Sequence, residues 1–104
     1  MRKDVNTKNE YGRTPLNLAV FGGHSDIAKL LISRGANVNT GDYNGETPLH
    51  NAVVGGHTYI ASLLISKGAN VNVRDNMGRT PLTWAIEAGE KKTANLLRKH
   101  GGKE

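Results

Sequence analysis

The stretch Gly45-Glu46-Thr47-Pro48-Leu49-His50-Asn51-Ala52 reads as the start of a helix. Thr47 is an N-cap residue whose side-chain oxygen can accept a free backbone N–H. Pro48 suits the first helical position, where its missing donor costs nothing. The same triplet stands on either side, as Thr14-Pro15-Leu16 and Thr80-Pro81-Leu82, at a step of 33 residues. Gly12, Gly45 and Gly78 precede the triplets at that step, and Ala19, Ala52 and Ala85 follow them. The leucine pairs Leu30-Leu31, Leu63-Leu64 and Leu96-Leu97 keep it too, and so do Gly35, Gly68 and Gly101. Residues 7–39 and 40–72 agree at 21 of 33 positions. The chain is therefore read first as a tandem repeat.

Each unit has one physical reading. A short helix runs from the Thr-Pro pair through Leu16, Ala19 and Val20 until Gly22-Gly23 stops it. His24 and Ser25 make a turn. A second helix carries Ile27, Ala28, Leu30, Leu31 and Ile32, and Gly35 closes it as a left-handed C′ residue. The polar stretch Ala36–Gly45 reads as an extended hairpin with a glycine near its tip. The second helix is apolar on more than one side, since Ala28 and Ile32 lie about 100° around from Ile27 and Leu31. Such a helix needs two partners, its own first helix and a neighbouring repeat. Ile27 and Ile60 are both expected to lose water in that stacking, and the repeated alanines let helices approach closely.

The pattern Gly45-Glu46-Thr47-Pro48-Leu49-His50, Gly56-His57, Leu63-Leu64, Gly68-Ala69-Asn70-Val71-Asn72 resembles the ankyrin-repeat family, in register over residues 4–101. The resemblance implies an all-α repeat solenoid of ankyrin-type helix-turn-helix units joined by β-hairpin-like loops. One domain over residues 1–104 is expected, with repeats at about 7–39, 40–72 and 73–104 and a partial preceding hairpin at 1–6. His50 is expected to tie a helix start to a neighbouring loop, a network left incomplete by Asn17 and Thr83. Asn39 and Asn72 fall at the loop position that some intracellular dioxygenases hydroxylate in this family.

The third repeat departs from the second in a consistent direction, and 40–71 against 73–104 keep only 11 of 32 identities. Ile60 becomes Thr93, Ile65 becomes Arg98, Ser66 becomes Lys99 and His57 becomes Glu90. These changes read as a C-terminal cap, with apolar positions facing a following repeat turned polar. Repeat one shows no such shift, so an apolar face open toward the N-terminus is expected, with a monomer as the main state and self-association through that face.

Composition narrows the function classes. The chain has 104 residues, no cysteine and a formal charge of +5. Disulfide and thiolate chemistry are absent, and an intracellular (cytoplasmic or nuclear) setting is expected. No run approaches the roughly 18 apolar residues of a membrane span, so no membrane partner is expected. No Asn-x-Ser/Thr acceptor is present. Neither a His-Glu-x-x-His, a phosphate-binding Gly-x-x-x-x-Gly-Lys-Ser/Thr nor a Gly-x-Ser-x-Gly motif occurs, so no catalytic residue, metal or cofactor is assigned. His24 and His57 are one repeat apart. Metal ligands must converge within about 2 Å of one ion, and stacked helices hold these two about 8–10 Å apart. They read as structural.

Binding is the better case, and the reading is of a non-catalytic module that grips a protein partner. The resemblance puts variable contact residues at the loop tips and the ends of the first helices. Carried onto this chain, the tips are Glu10, Tyr11 and Arg13; Tyr43, Asn44 and Glu46; Asn76, Met77 and Arg79. The helix-end positions are Phe21, Val54 and Glu87. These are where the three units disagree most, and Tyr and Arg are frequent interface anchors. Trp84, at the position of Leu18 and Asn51, is expected to pack within the third repeat. Two alternatives stand beside this reading. One is nucleic-acid contact through the basic residues, five of which (Lys91, Lys92, Arg98, Lys99, Lys103) lie in the last fourteen positions. The other is a minimal or engineered array without a native partner.

Overall fold

The computed structural model describes residues 4–104. Six helices follow one another as α1 (Pro15–Phe21), α2 (Ser25–Ser33), α3 (Pro48–Val54), α4 (Thr58–Ser66), α5 (Pro81–Glu87) and α6 (Lys91–Lys99). The three Thr-Pro pairs begin equivalent helices. Thr14, Thr47 and Thr80 are extended N-caps, each with proline in the first turn. Gly23 has φ 75° and Gly35 φ 94°. These left-handed residues let the next N–H turn back five residues, from His24 to the Ala19 carbonyl and from Ala36 to that of Leu31, both at 2.9 Å. This closes orphan carbonyls at each helix end. Both turns recur in all three units, which is why the glycines keep the 33-residue step.

The helices pair as α1 with α2, α3 with α4 and α5 with α6, and the pairs stand side by side in one row. The first helices α1, α3 and α5 form an inner layer, and α4 packs on α6 in the outer one. The described chain measures 43 × 26 × 20 Å. Leu16, Leu49, Leu64 and Leu97 are fully buried, and the alanines 19, 28, 52, 61, 85 and 94 are buried among them. Fully burying a leucine contributes about 1.5–3 kcal/mol, so each interface between repeats rests on a few such side chains.

Polar clips hold the row in register. Asn39 donates Nδ2–H to the Gly68 carbonyl at 3.2 Å and accepts the Asn70 N–H at 2.7 Å. Asn6 does the same to Gly35 and Asn37, and Asn72 to Gly101 and Lys103. Each asparagine thus fastens its own loop to the helix end of the next unit. The expected partial hairpin at 1–6 lies partly outside the described residues, but Asn6 makes the clip of a full repeat.

Three expectations need correction. Ile60 is buried at 3% exposure, but Ile27 is 51% exposed. This side of the second helix faces the preceding unit, and no described residue precedes the first one there. For the same reason Thr93 is buried at 2%, its hydroxyl 2.9 Å from that of Thr58. The change from Ile60 to Thr93 therefore faces repeat two rather than a following repeat, and it is not part of a cap. The loops hold no β-strand among the described residues. They close as tight turns instead, with Gly45 N–H on the Asp42 carbonyl and Asp42 N–H on that of Glu46.

Candidate protein-binding surface

One carboxylate or amide organises each loop tip, buried for Asp42 and Asp75 and exposed for Asn9. Asp42 Oδ1 accepts the N–H groups of Asn44 and Glu46, Asn9 does the same for Tyr11 and Arg13, and Asp75 for Met77 and Arg79. A short side chain that bonds its own backbone two residues on is what an Asx turn requires. Asp75 does more. Its Oδ2 also accepts the Arg79 Nε–H and the Trp84 indole N–H, both at 3.0 Å. Burial alone would raise this carboxyl, but the N–H donors of Arg79, Met77 and Trp84 outweigh it and hold it below the ordinary carboxylate value.

The three tips are tied to one another. Tyr43 N–H donates to the Tyr11 carbonyl at 3.2 Å, Asn76 N–H to that of Asn44 at 2.9 Å, and Asn76 Nδ2–H to that of Tyr43 at 2.8 Å. The Tyr43 ring lies on Gly12, so close that a Cβ there would fall 2.5 Å from it. A side chain at residue 12 would push the ring away. The tips therefore form one continuous row rather than three independent loops.

Under the row, His50 is fully buried. Its Nδ1 accepts the Thr47 N–H at 3.1 Å, which leaves the proton on Nε2 to donate to the Arg79 carbonyl at 2.9 Å. Burial pushes its pKa below the usual histidine value, so the ring is neutral at pH 7. The expected tie between a helix start and the neighbouring loop is present. In repeat one Asn17 keeps part of the role. It accepts the Thr14 N–H and donates to Asn51 Oδ1 at 3.1 Å, and to the Thr40 carbonyl rather than to the neighbouring loop tip. Thr83 bonds only within its own helix start, to Thr80. Trp84 is half-buried against the core as expected, its ring 5.4 Å from that of His50 and the Arg79 guanidinium 4.7 Å above it.

The residues assigned from sequence fall into two sets. Tyr11, Tyr43 and Met77 stand out at the tips, Met77 most of all at 77% exposure, with Glu10, Asn44 and Asn76 exposed beside them. Arg13, Glu46 and Arg79 are half-buried just behind. Arg13 turns onto Asp42 at 3.6 Å and lies over the Tyr11 ring, while Arg79 is taken by Asp75 and Trp84. Burial, then the charges of Asp42 and Asp75, raise the Glu46 carboxyl above its ordinary value. Phe21, Val54 and Glu87 are the exposed last residues of α1, α3 and α5. They lie at the far ends of the inner helices, each about 10 Å long.

Sequence reasoning missed Tyr59. It is an exposed aromatic on the outer helix α4, with Lys29 Nζ 5.1 Å above its ring. It occupies the position of Asp26 and Lys92, a disagreement between units as large as any at the tips, and that was the available signal. The histidines of the helix turns are packing groups. The His57 ring sits against Gly23 and Gly55, where added Cβ atoms would fall within 2.6 Å of it. Among the described residues no group of three His, Asp or Glu side chains could hold a metal ion, and no helix is long and apolar enough to cross a membrane.

Stacked helix pairs with linked turns along one edge define a helical tandem-repeat solenoid. A family described as ankyrin repeats (3 copies) matches residues 38–104, and one described as ankyrin repeat matches residues 11–43. The chain belongs to the ankyrin-repeat family, whose members are generally protein–protein interaction modules and typically non-catalytic. A search of curated proteins finds no significant match.

Proposed function

We propose that this chain binds a protein partner along the row of loop tips and the adjoining ends of α1, α3 and α5. The contact residues are those assigned above from sequence. One observation carries the reading. The tips are locked together by backbone and Asn76 hydrogen bonds, yet their largest apolar side chains point to solvent. A rigid row with exposed Tyr11, Tyr43 and Met77 loses little freedom on binding, which favours affinity.

Charge gives the partner's character. Glu10, Glu46 and Glu87 lie on this side, while Asp42 and Asp75 are buried beneath it and take Arg13 and Arg79, and Arg74 bonds the Gly78 carbonyl at the third tip. The row therefore suits a partner surface that offers aliphatic or aromatic side chains together with lysine or arginine. Phosphates would meet carboxylates here. The lysines and arginines of α2 and α6 sit on the outer helices instead, which argues against nucleic acid at the tips.

The test is affinity for a captured partner with two sets of variants. Tyr11→Ala, Tyr43→Ala and Met77→Ala together should weaken binding by tenfold or more, while Tyr59→Ala on α4 leaves it unchanged. The reverse pattern would place the contact on the outer helices.

A further inference from the structure

A groove of about 510 Å³ opens between the outer helices α2 and α4, lined by Lys29, Ile32, Ser33, Leu63 and Lys67. It lies inside the row, with a repeat on either side of it. Helices α2 and α4 approach less closely than α4 and α6. On α6 the small Thr93 bonds Thr58 at 2.9 Å, while the same place on α4 holds the larger Ile60, buried against repeat one. Ser62 and Ser66 match Lys29 and Ser33, and both stay exposed with α6 in place. A further repeat at either end of the row would therefore leave this groove open.

The walls of the groove say what fits it. Tyr59, Leu63 and Lys67 are four residues apart and share one face of α4, as Lys29 and Ser33 share one face of α2. Ile32 and Leu63 are partly buried and make an apolar floor. Lys29 and Lys67 stand exposed on opposite walls, and neither is in an ion pair among the described residues. Lys29 reaches across to α4, its Nζ 5.1 Å above the Tyr59 ring. Lys67 lies about 7.5 Å further along the helix direction. The other charges nearby are Asp26, one turn before Lys29, and Arg34, next to Ser33. Helix α4 itself carries no charged residue. Glu90 faces Gly56 across the following boundary and not this groove. The groove is therefore basic at its rims and apolar between them.

We propose that this groove receives an acidic peptide segment of a partner protein. Such a segment seats an aliphatic or aromatic side chain on Ile32 and Leu63 and sets Asp or Glu against Lys29 and Lys67. Bonds between ammonium and carboxylate groups are stronger than neutral ones, and the two lysines fix where the acids stand relative to the apolar side chain. A nucleic-acid strand fits less well, since it needs cations along its phosphates and finds two here around an apolar floor. The groove is separate from the row of loop tips. It lies on the outer layer and selects the opposite charge, so either site can fail without the other.

Selection from a random peptide library on the immobilised 104-residue protein tests this. Enriched peptides should carry an apolar residue with Asp or Glu on both sides. Their affinity, read by fluorescence anisotropy, should fall about tenfold or more when Lys29→Glu and Lys67→Glu are combined. Ser33→Trp, which fills the groove without changing its charge, should do the same. The combined tip variant Tyr11→Ala, Tyr43→Ala and Met77→Ala should bind these peptides as wild type does. All six side chains are exposed, so helical circular dichroism should be unchanged throughout. A library that yields no binder, or binders without acidic residues, would overturn the proposal. So would acidic peptides that keep their affinity in the groove variants or lose it in the tip variant. A single-stranded oligonucleotide that outcompetes every selected peptide and is released by the lysine substitutions would overturn it too, by assigning the lysines to phosphate.

Discussion

Helices α2 and α4 are nearly the same sequence in different surroundings. Ser25–Ser33 and Thr58–Ser66 share isoleucine, alanine, two leucines and a second isoleucine at matching places. In α4 Ile60, Ala61 and Leu64 are all buried, whereas in α2 only Ala28 is. The difference lies in the neighbour. A helix pair covers the α4 isoleucine from behind, and nothing described covers that of α2. In a solenoid, a residue type states what a position could bury, and the adjacent repeat decides whether it does.

Substitutions can break that comparison. Leu49→Ala, at a fully buried site between helix pairs, should cost about 2–5 kcal/mol. Leu30→Ala on the open side of α2, 53% exposed, should cost less than about 1 kcal/mol. Urea denaturation compares the two. Equal losses would mean that the open end is covered in solution.

The clips come next in size. Asn39→Ala removes a donor and an acceptor that fasten repeat one to repeat two. It should cost about 1–2 kcal/mol, discounted for the exposure of the site. Asn6→Ala, which clips onto repeat one from the chain's beginning, should cost less. A reversed order would show that the N-terminal loop carries more of the stability than its burial suggests.

A smaller effect depends on pH. The pKa of His50 is lower in the folded chain than its ordinary value of 6.5. The unfolded chain therefore takes up a proton first as pH falls, and stability declines through that range. Thermal melts between pH about 8 and about 5 should show the decline, and His50→Asn, which restores the residue type of repeat one, should flatten it. The smallest effect belongs to the tips. Met77→Ala should leave stability within about 0.5 kcal/mol of wild type while weakening partner binding.

Much of this was legible in the residues. The Thr-Pro-Leu triplets, glycines and alanines keep one step because the same helix start, turn and close approach recur in each unit. Their meaning survives without coordinates. The orientation of Ile27 and Thr93 was not legible, because polarity at one position does not say which neighbour it meets. A buried threonine bonded to Thr58 looks, in sequence, like a surface substitution. The tip residues were found because they differ between units. The roles of Asp42 and Asp75, which hold the tips in shape, were not legible because an aspartate in a polar loop reads alike whether buried or exposed. Tyr59 lies on the outer helix α4, outside the tips and first-helix ends where the resemblance places contacts.

The most direct measurement is a paired one, the unfolding free energies of Ile60→Ala and Ile27→Ala by chemical denaturation at low protein concentration. Stacking of each helix pair on the one before it predicts a loss of about 2–4 kcal/mol for Ile60→Ala and under about 1 kcal/mol for Ile27→Ala. Equal losses would contradict it, since they would mean that neither residue's burial depends on a preceding repeat.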